Sequence, residues 1–164
     1  MAKIITIDGP AASGKSSVGR KLAHQINFQF IDSGAIYRAG VWALLQQNVS
    51  IDQTEKINQI FQNLPIDFKT DDHEILVFLD DQDITSHLHS PEVTKLVAQI
   101  AAMPSVRPLV KQLEHLLASR RDTVMAGRDI GTEIFPDSKL KFYITANPEV
   151  RAQRRHQQQI KSHP

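Results

Sequence analysis

The chain has 164 residues, 19 Lys and Arg against 18 Asp and Glu for a net charge of +1, and no cysteine. That length suits one compact domain with a small appendage, and the balanced charge excludes both a general polyanion-binding surface and an acidic disordered chain. The missing thiols remove disulfides, thiolate metal sites and cysteine nucleophiles together, in keeping with a reducing compartment.

The N-terminal "MAKIITIDGP" holds too short an apolar run for a signal peptide, and nowhere do about 18 apolar residues follow one another. A cytoplasmic protein with no membrane partner is expected. "KIITID" is a β-branched run that ends at a glycine. After the loop that follows, "KSSVGRKLAHQI" spaces Val18, Leu22 and Ile26 four apart, as a helix does. "FQFID" and then "SGAIYRAGVWALLQQN" repeat the strand and helix order. This alternation predicts an α/β fold with a parallel sheet flanked by helices.

The middle differs in character. "IDFKT" and "EILVFLDDQDIT" are extended pieces with an acidic turn, so residues 65 to about 86 are expected as a small antiparallel β insertion. Ser90 is the expected N-cap of "SPEVTKLVAQIAAM", with Pro91 in the first helical position, and "PSVRPLVKQLEHLLASR" predicts another helix. "TVMAGRD" and "KLKFYITA" resume as strands, and "NPEVRAQRRHQQQ" is a helix begun by Asn147 and Pro148. There is no internal repeat and no low-complexity tract. The expected core is therefore residues 1–64 and 87–150, followed by a basic helical segment from 151 to 164.

Between the first strand and helix, "GPAASGKS" fits G-x-x-x-x-G-K-[ST] through Gly9, Gly14, Lys15 and Ser16. The glycines let successive N–H groups turn inward on phosphate oxygens, and the helix N-terminus adds partial positive charge. Lys15 reaches the β and γ phosphates, and the Ser16 hydroxyl suits Mg²⁺. The loop is shared by switch GTPases and kinases. Against a switch, the sequence has no N-K-x-D stretch and no Asp followed three residues later by Gly. Small-molecule phosphotransfer is thus favoured. Two more polar clusters, "DSGAIYR" (Asp32 to Arg38) and "GRDIGT" (Gly127 to Thr132), also follow strands. In an open parallel sheet such ends line one crevice. Arg38 and Arg128 there suit an acceptor phosphate because a guanidinium forms paired charge-assisted hydrogen bonds. Asp32 or Asp129 suits Mg²⁺, a ribose or a base. Asp32 and Ser33 also suit helix capping, and Arg128 with Asp129 an ordinary surface pair.

"ITIDGPAASGKSS", "IDSGAIYR", "AAMPSVR" and "AGRDIGTEIFPD", in that order, resemble the bacterial cytidylate kinase family of P-loop nucleoside monophosphate kinases, over essentially the whole chain. The resemblance implies transfer of the ATP γ phosphate to CMP or dCMP with Mg²⁺. A monomer is expected, and no nucleic-acid partner, because the net charge is near zero and aromatic residues for base stacking are few and scattered. The resemblance also implies that Gly9, Pro10, Ala11, Ala12, Ser13, Gly14, Lys15, Ser16 and Ser17 hold the ATP phosphates, and that Ser16 and Asp32 hold the metal. Asp32, Ser33, Gly34, Tyr37, Arg38, Arg107, Gly127, Arg128 and Asp129 would form the acceptor site. Within it Ser33, Arg38 and Arg128 would take the phosphate, and Arg107 and Asp129 the cytosine edge. Lys15, Arg38, Arg128 and Arg154 would carry the catalytic charge. Arg151 and Arg155 would join them over ATP as the start of a closing lid.

The chain departs from the family twice. Where some relatives place a cytosine-contacting serine, nine residues before Arg107, it has Ala98, which bears on how strictly cytosine is kept over uracil. The rest of the family's lid and a closing strand and helix would follow residue 164. Low turnover and an exposed "KLKFYIT" edge are therefore expected of these residues alone.

Overall fold

The computed structural model describes residues 1–70 and 74–162. The alternation read above forms β1 (Ile4–Asp8), α1 (Lys15–Gln25), β2 (Gln29–Asp32) and α2 (Ser33–Gln46), and then α3 (Thr54–Gln62). β3 (Ile66–Thr70), β4 (Ile75–Leu79) and β5 (Gln82–Asp83) follow, with a 3₁₀ turn at Thr85–His87. α4 (Pro91–Ala101), α5 (Val106–Arg120) and β6 (Thr123–Gly127) return to the main body, and a π-helical turn at Ile130–Ile134 leads to β7 (Leu140–Tyr143) and α6 (Pro148–Ser162).

Four strands form one parallel sheet in the order β2-β6-β1-β7, and β3, β4 and β5 form a separate antiparallel sheet. This is the expected α/β architecture with its insertion. Asp80 and Asp81 carry positive φ (46° and 64°) between β4 and β5, the conformation of a tight two-residue hairpin turn, which Asp tolerates better than most residues. The acidic segment 71–73 lies outside the described residues.

Side chains alternate across the main sheet. Ile5, Ile7, Phe30, Val124 and Ala126 form a small core with Ala23 of α1. Ile31 and Met125 face a larger core built with α2, α3, α4, α5 and the insertion, around Ile57, Phe61, Val93 and Val110. The four-residue spacing of Val18, Leu22 and Ile26 marks the helix, but the residues α1 fully buries are Gly19 and Ala23, while Val18 and Ile26 are exposed and Leu22 is half-buried. The reason is close approach: a methyl group on Gly19 would overlap the Phe30 ring, so small residues face the sheet. The helix α3, with Ile57 and Phe61 buried four apart, was not anticipated because its window is only nine residues long.

Candidate active site

β1, β6 and β2 end level with one another. In the parallel register Asp8 lies beside Gly127, and Asp32 beside Ala126. The loop after β1, the start of α2 and the "GRD" turn therefore leave the same edge of the sheet. All three polar clusters meet at one crevice, as carboxyl ends of parallel strands should.

The loop between β1 and α1 has the geometry that suits an anion. Gly14 caps α1 in the left-handed region (φ 94°), no side chain caps that helix, and its first turn carries no acid. Its free N-terminus is thus an anion seat. The Ser13 hydroxyl is buried with no hydrogen-bond partner. Lys15 Nζ donates to the Pro10 carbonyl at 3.1 Å, across the mouth of the loop. Partial burial lowers the Lys15 pKa, and Arg128 adds to this while Asp32 and Asp8 oppose it. Those three partners stand at or just after the ends of β1, β2 and β6. Pro10 and Ala12 carry the loop backbone, and Ala11 and Ser17 are exposed on its outer side.

Ser16 Oγ donates to Asp32 Oδ2 at 2.6 Å, while Asp32 Oδ1 accepts from the Gly34 N–H at 2.9 Å. Asp32 therefore caps α2 with one oxygen and faces the phosphate loop with the other. A hydroxyl and a carboxylate so close are hard oxygen donors, the kind that suits Mg²⁺ completed by water and phosphate. Among the described residues there is no cluster of three or more His, Cys, Asp or Glu that would hold a metal through protein ligands alone.

In α2, Arg38 Nη1 donates to the Leu88 carbonyl at 3.1 Å and to Thr94 Oγ1 at 3.3 Å. Burial and the nearby Arg155 lower its pKa, and Asp32 acts in the opposite sense. Arg107 and Asp129 form an ion pair with each other. Arg128 is exposed at the crevice, and Gly127 packs beneath it, where a methyl group would lie 2.6 Å from Ile130 and 3.2 Å from Ser33. Tyr37 is half-buried with its ring tilted against Phe61, 6.5 Å between centroids, and burial and then Glu114 raise its pKa. In α6, Arg154 Nη1 donates to the Ala12 carbonyl at 3.4 Å, so the basic helix lies over the phosphate loop. Arg151 has a buried Nε without a partner, and Arg155 is within electrostatic reach of Arg38 and His89.

Four residues of this site were not singled out from the sequence. Asp8 is buried and accepts from the N–H groups of Ile130 (2.7 Å) and Gly131 (2.8 Å), tying the turn after Arg128 and Asp129 to β1. His89 and Thr94 flank Arg38. Glu114 is buried behind Ser33. Only Glu114 left a signal: it stands four residues after Val110 and three before Leu117, on the apolar face of α5.

A parallel α/β sheet whose first strand opens into a phosphate cradle, with arginines and carboxylates facing it from two neighbouring strand ends, defines the class of P-loop nucleotide kinases. The sequence matches the family model "Cytidylate kinase" over residues 5–163, and the chain belongs to that family. It is 40% identical over 155 residues to the cytidylate kinase of Rhodopirellula baltica, covering 94% of this chain and 66% of that protein. It is likewise 40% identical over 152 residues to the cytidylate kinase of Bacillus thuringiensis, covering 93% and 68%. A bifunctional pantoate ligase/cytidylate kinase of Synechococcus sp. is 39% identical over 158 residues, covering 94% of this chain and 29% of that protein. The chain thus spans about two thirds of the length of the two single-function relatives. A solved structure, the crystal structure of TT1252 from Thermus thermophilus, aligns with a TM-score of 0.45 and 21% identity over 93% of this chain and 70% of that one.

Proposed function

We propose that this chain phosphorylates CMP and dCMP with ATP, as a monomer in the cytoplasm. The observation that carries the proposal is the level ending of β1, β2 and β6, which sets a phosphate loop opposite Ser33, Arg38 and Arg128 across one crevice. A donor triphosphate on the loop and an acceptor phosphate on the arginines then approach each other in line.

No protein nucleophile is needed. A phosphate oxygen of CMP attacks the γ phosphorus, the new O–P bond forms as the bond to the β,γ-bridging oxygen breaks, and CDP and ADP result. Lys15 leaves the Pro10 carbonyl for the transferring phosphate, whose charge it neutralises. Arg38, already fixed by Leu88 and Thr94, and Arg128 hold the acceptor. Arg154, which reaches the loop from α6, adds charge on the donor side. Ser16 and Asp32 would hold Mg²⁺, which when bound neutralises phosphate charge.

For the base, Arg107 and Asp129 exchange their mutual ion pair for the cytosine edge. The 4-amino group of cytosine donates to a carboxylate, where uracil presents an acceptor instead, and an unmatched buried polar group is costly. The test is ADP formation with ATP, Mg²⁺ and, in parallel, CMP, dCMP, UMP, AMP, shikimate or no acceptor, together with calorimetric titration of CMP. Stimulation and binding by CMP and dCMP above the others are expected. Equal ADP formation with every acceptor would overturn the proposal, and tight ATP binding without CMP binding would favour a nucleotide-binding module.

A further inference from the structure

Asp129 stands at the head of the π-helical turn Ile130–Ile134. A short acidic side chain in that position ordinarily turns back and accepts from the free N–H groups of the first turn. Among the described residues the Asp129 carboxylate makes no such bond, and it pairs with Arg107 of α5 instead. Another carboxylate takes the N–H groups: Ile130 donates to Asp8 Oδ1 at 2.7 Å, and Gly131 to Asp8 Oδ2 at 2.8 Å. Asp8 is only 8% exposed, so these bonds stand where water would otherwise satisfy its two oxygens. At the far end of the turn Lys111 Nζ donates to the Glu133 carbonyl at 2.7 Å, as a cation suits the last carbonyls of a helical segment. Side chains from outside the turn thus cap it at both ends.

The fit around Asp8 is close. A methyl group on Gly131 would lie 2.7 Å from Thr6 Oγ1 and 3.2 Å from Asp8 Oδ2. The residue after Asp8 is Gly9, where the phosphate loop begins, so one strand end sets both the loop and the turn that follows Arg128.

We propose that Asp8 is a positioning residue for base recognition: by capping the π turn in place of Asp129, it keeps the Asp129 carboxylate turned outward, toward Arg107 and the base of the acceptor nucleotide. This rests on the reading of Asp129 as the group that accepts from the cytosine 4-amino group. Without the Asp8 carboxylate, the N–H groups of Ile130 and Gly131 become buried donors in need of a partner. Asp129 is next in the chain and can serve them in the ordinary N-cap geometry. A carboxylate engaged in that way no longer faces the amino group. The phosphate contacts offered by Ser33 and Arg38 stand on α2, away from this turn, so the loss falls on the base.

The experiment is calorimetric titration of CMP and of UMP into the parent chain, Asp8→Asn, Asp129→Asn and the double variant. Asparagine keeps the shape of Asp8 but offers one acceptor oxygen, and its NH₂ group opposes the second N–H. The parent should bind CMP more tightly than UMP. Asp8→Asn should lower the ratio of CMP to UMP affinity by roughly tenfold, and Asp129→Asn by a similar factor. The double variant should be no worse than Asp129→Asn alone, because Asp8 acts through Asp129. A purely structural tie would weaken CMP and UMP together and leave the ratio as it is in the parent.

An unchanged ratio in Asp8→Asn, or losses that multiply in the double variant, would overturn the proposal while leaving Asp129 as the base reader. A parent chain that does not prefer CMP, or an unchanged ratio in Asp129→Asn, would overturn the reading of Asp129 and the proposal with it. Should Asp8→Asn not fold, Gly131→Ala decides instead, since its methyl group pushes the turn off Asp8 with the carboxylate still present. The same fall in the ratio is expected there, and an unchanged ratio overturns the proposal.

Discussion

Asp8 and Gly9 join the two halves of the crevice. The Asp8 carboxylate holds the backbone of Ile130 and Gly131, and its carbonyl accepts from the Ile144 N–H at 2.8 Å. The Ile144 carbonyl in turn lies against Gly9, so closely that any side chain there would overlap it. Glycine is therefore required by proximity between two backbones as well as by the bend of the loop. Gly9→Ala should force β1 and the end of β7 apart, costing about 1–3 kcal/mol, and should weaken ATP binding as the loop shifts. Urea denaturation and ATP titration check this, and an unchanged unfolding midpoint would contradict it.

Among the elements, α4 shows how a local signal in the sequence comes to bear on the site. Ser90 Oγ accepts from the Val93 N–H at 3.3 Å and Pro91 follows in the first turn, as read from the sequence. The same turn carries Thr94, and Leu88 precedes it, and these are the two acceptors that fix Arg38. Ser90→Ala should cost about 1 kcal/mol of stability. Because the first turn frays, it should also weaken CMP binding while leaving ATP binding nearly unchanged. Parallel titrations of the two nucleotides measure that difference, and equal losses for both would show that Arg38 does not depend on the cap. α1 teaches the opposite lesson, since the spacing that marks it as a helix does not say which residues are fully buried. A four-residue spacing marks a helix, yet the close fit of Gly19 on Phe30 decided which side met the sheet.

Taken whole, the molecule presents β7 as an edge of the main sheet, with all four of its residues exposed: Leu140 at 53%, Phe142 at 50% and Tyr143 at 71%, beside Lys141. An exposed apolar edge strand is a template for pairing with another chain. The monomer proposed as the working form should therefore begin to aggregate at high concentration through this edge, and Phe142→Lys should suppress this with little loss of folding. Sedimentation velocity across a concentration series tests it, and a concentration-independent monomer of the parent chain would refute it.

The phosphate loop, the α/β alternation, the antiparallel insertion and the caps of α2, α4 and α6 were legible along the chain. Each depends on neighbours in sequence: glycine and lysine spacing, strand and helix periods, and short polar side chains at helix starts. The folded chain alone paired Arg107 with Asp129, set Asp8 under the turn at 130–131, brought Arg154 onto Ala12 and buried Glu114 behind Ser33. Those partners are far apart in the sequence, and burial and mutual charge, which set their chemistry, arise only when the strands align and the helices close over them.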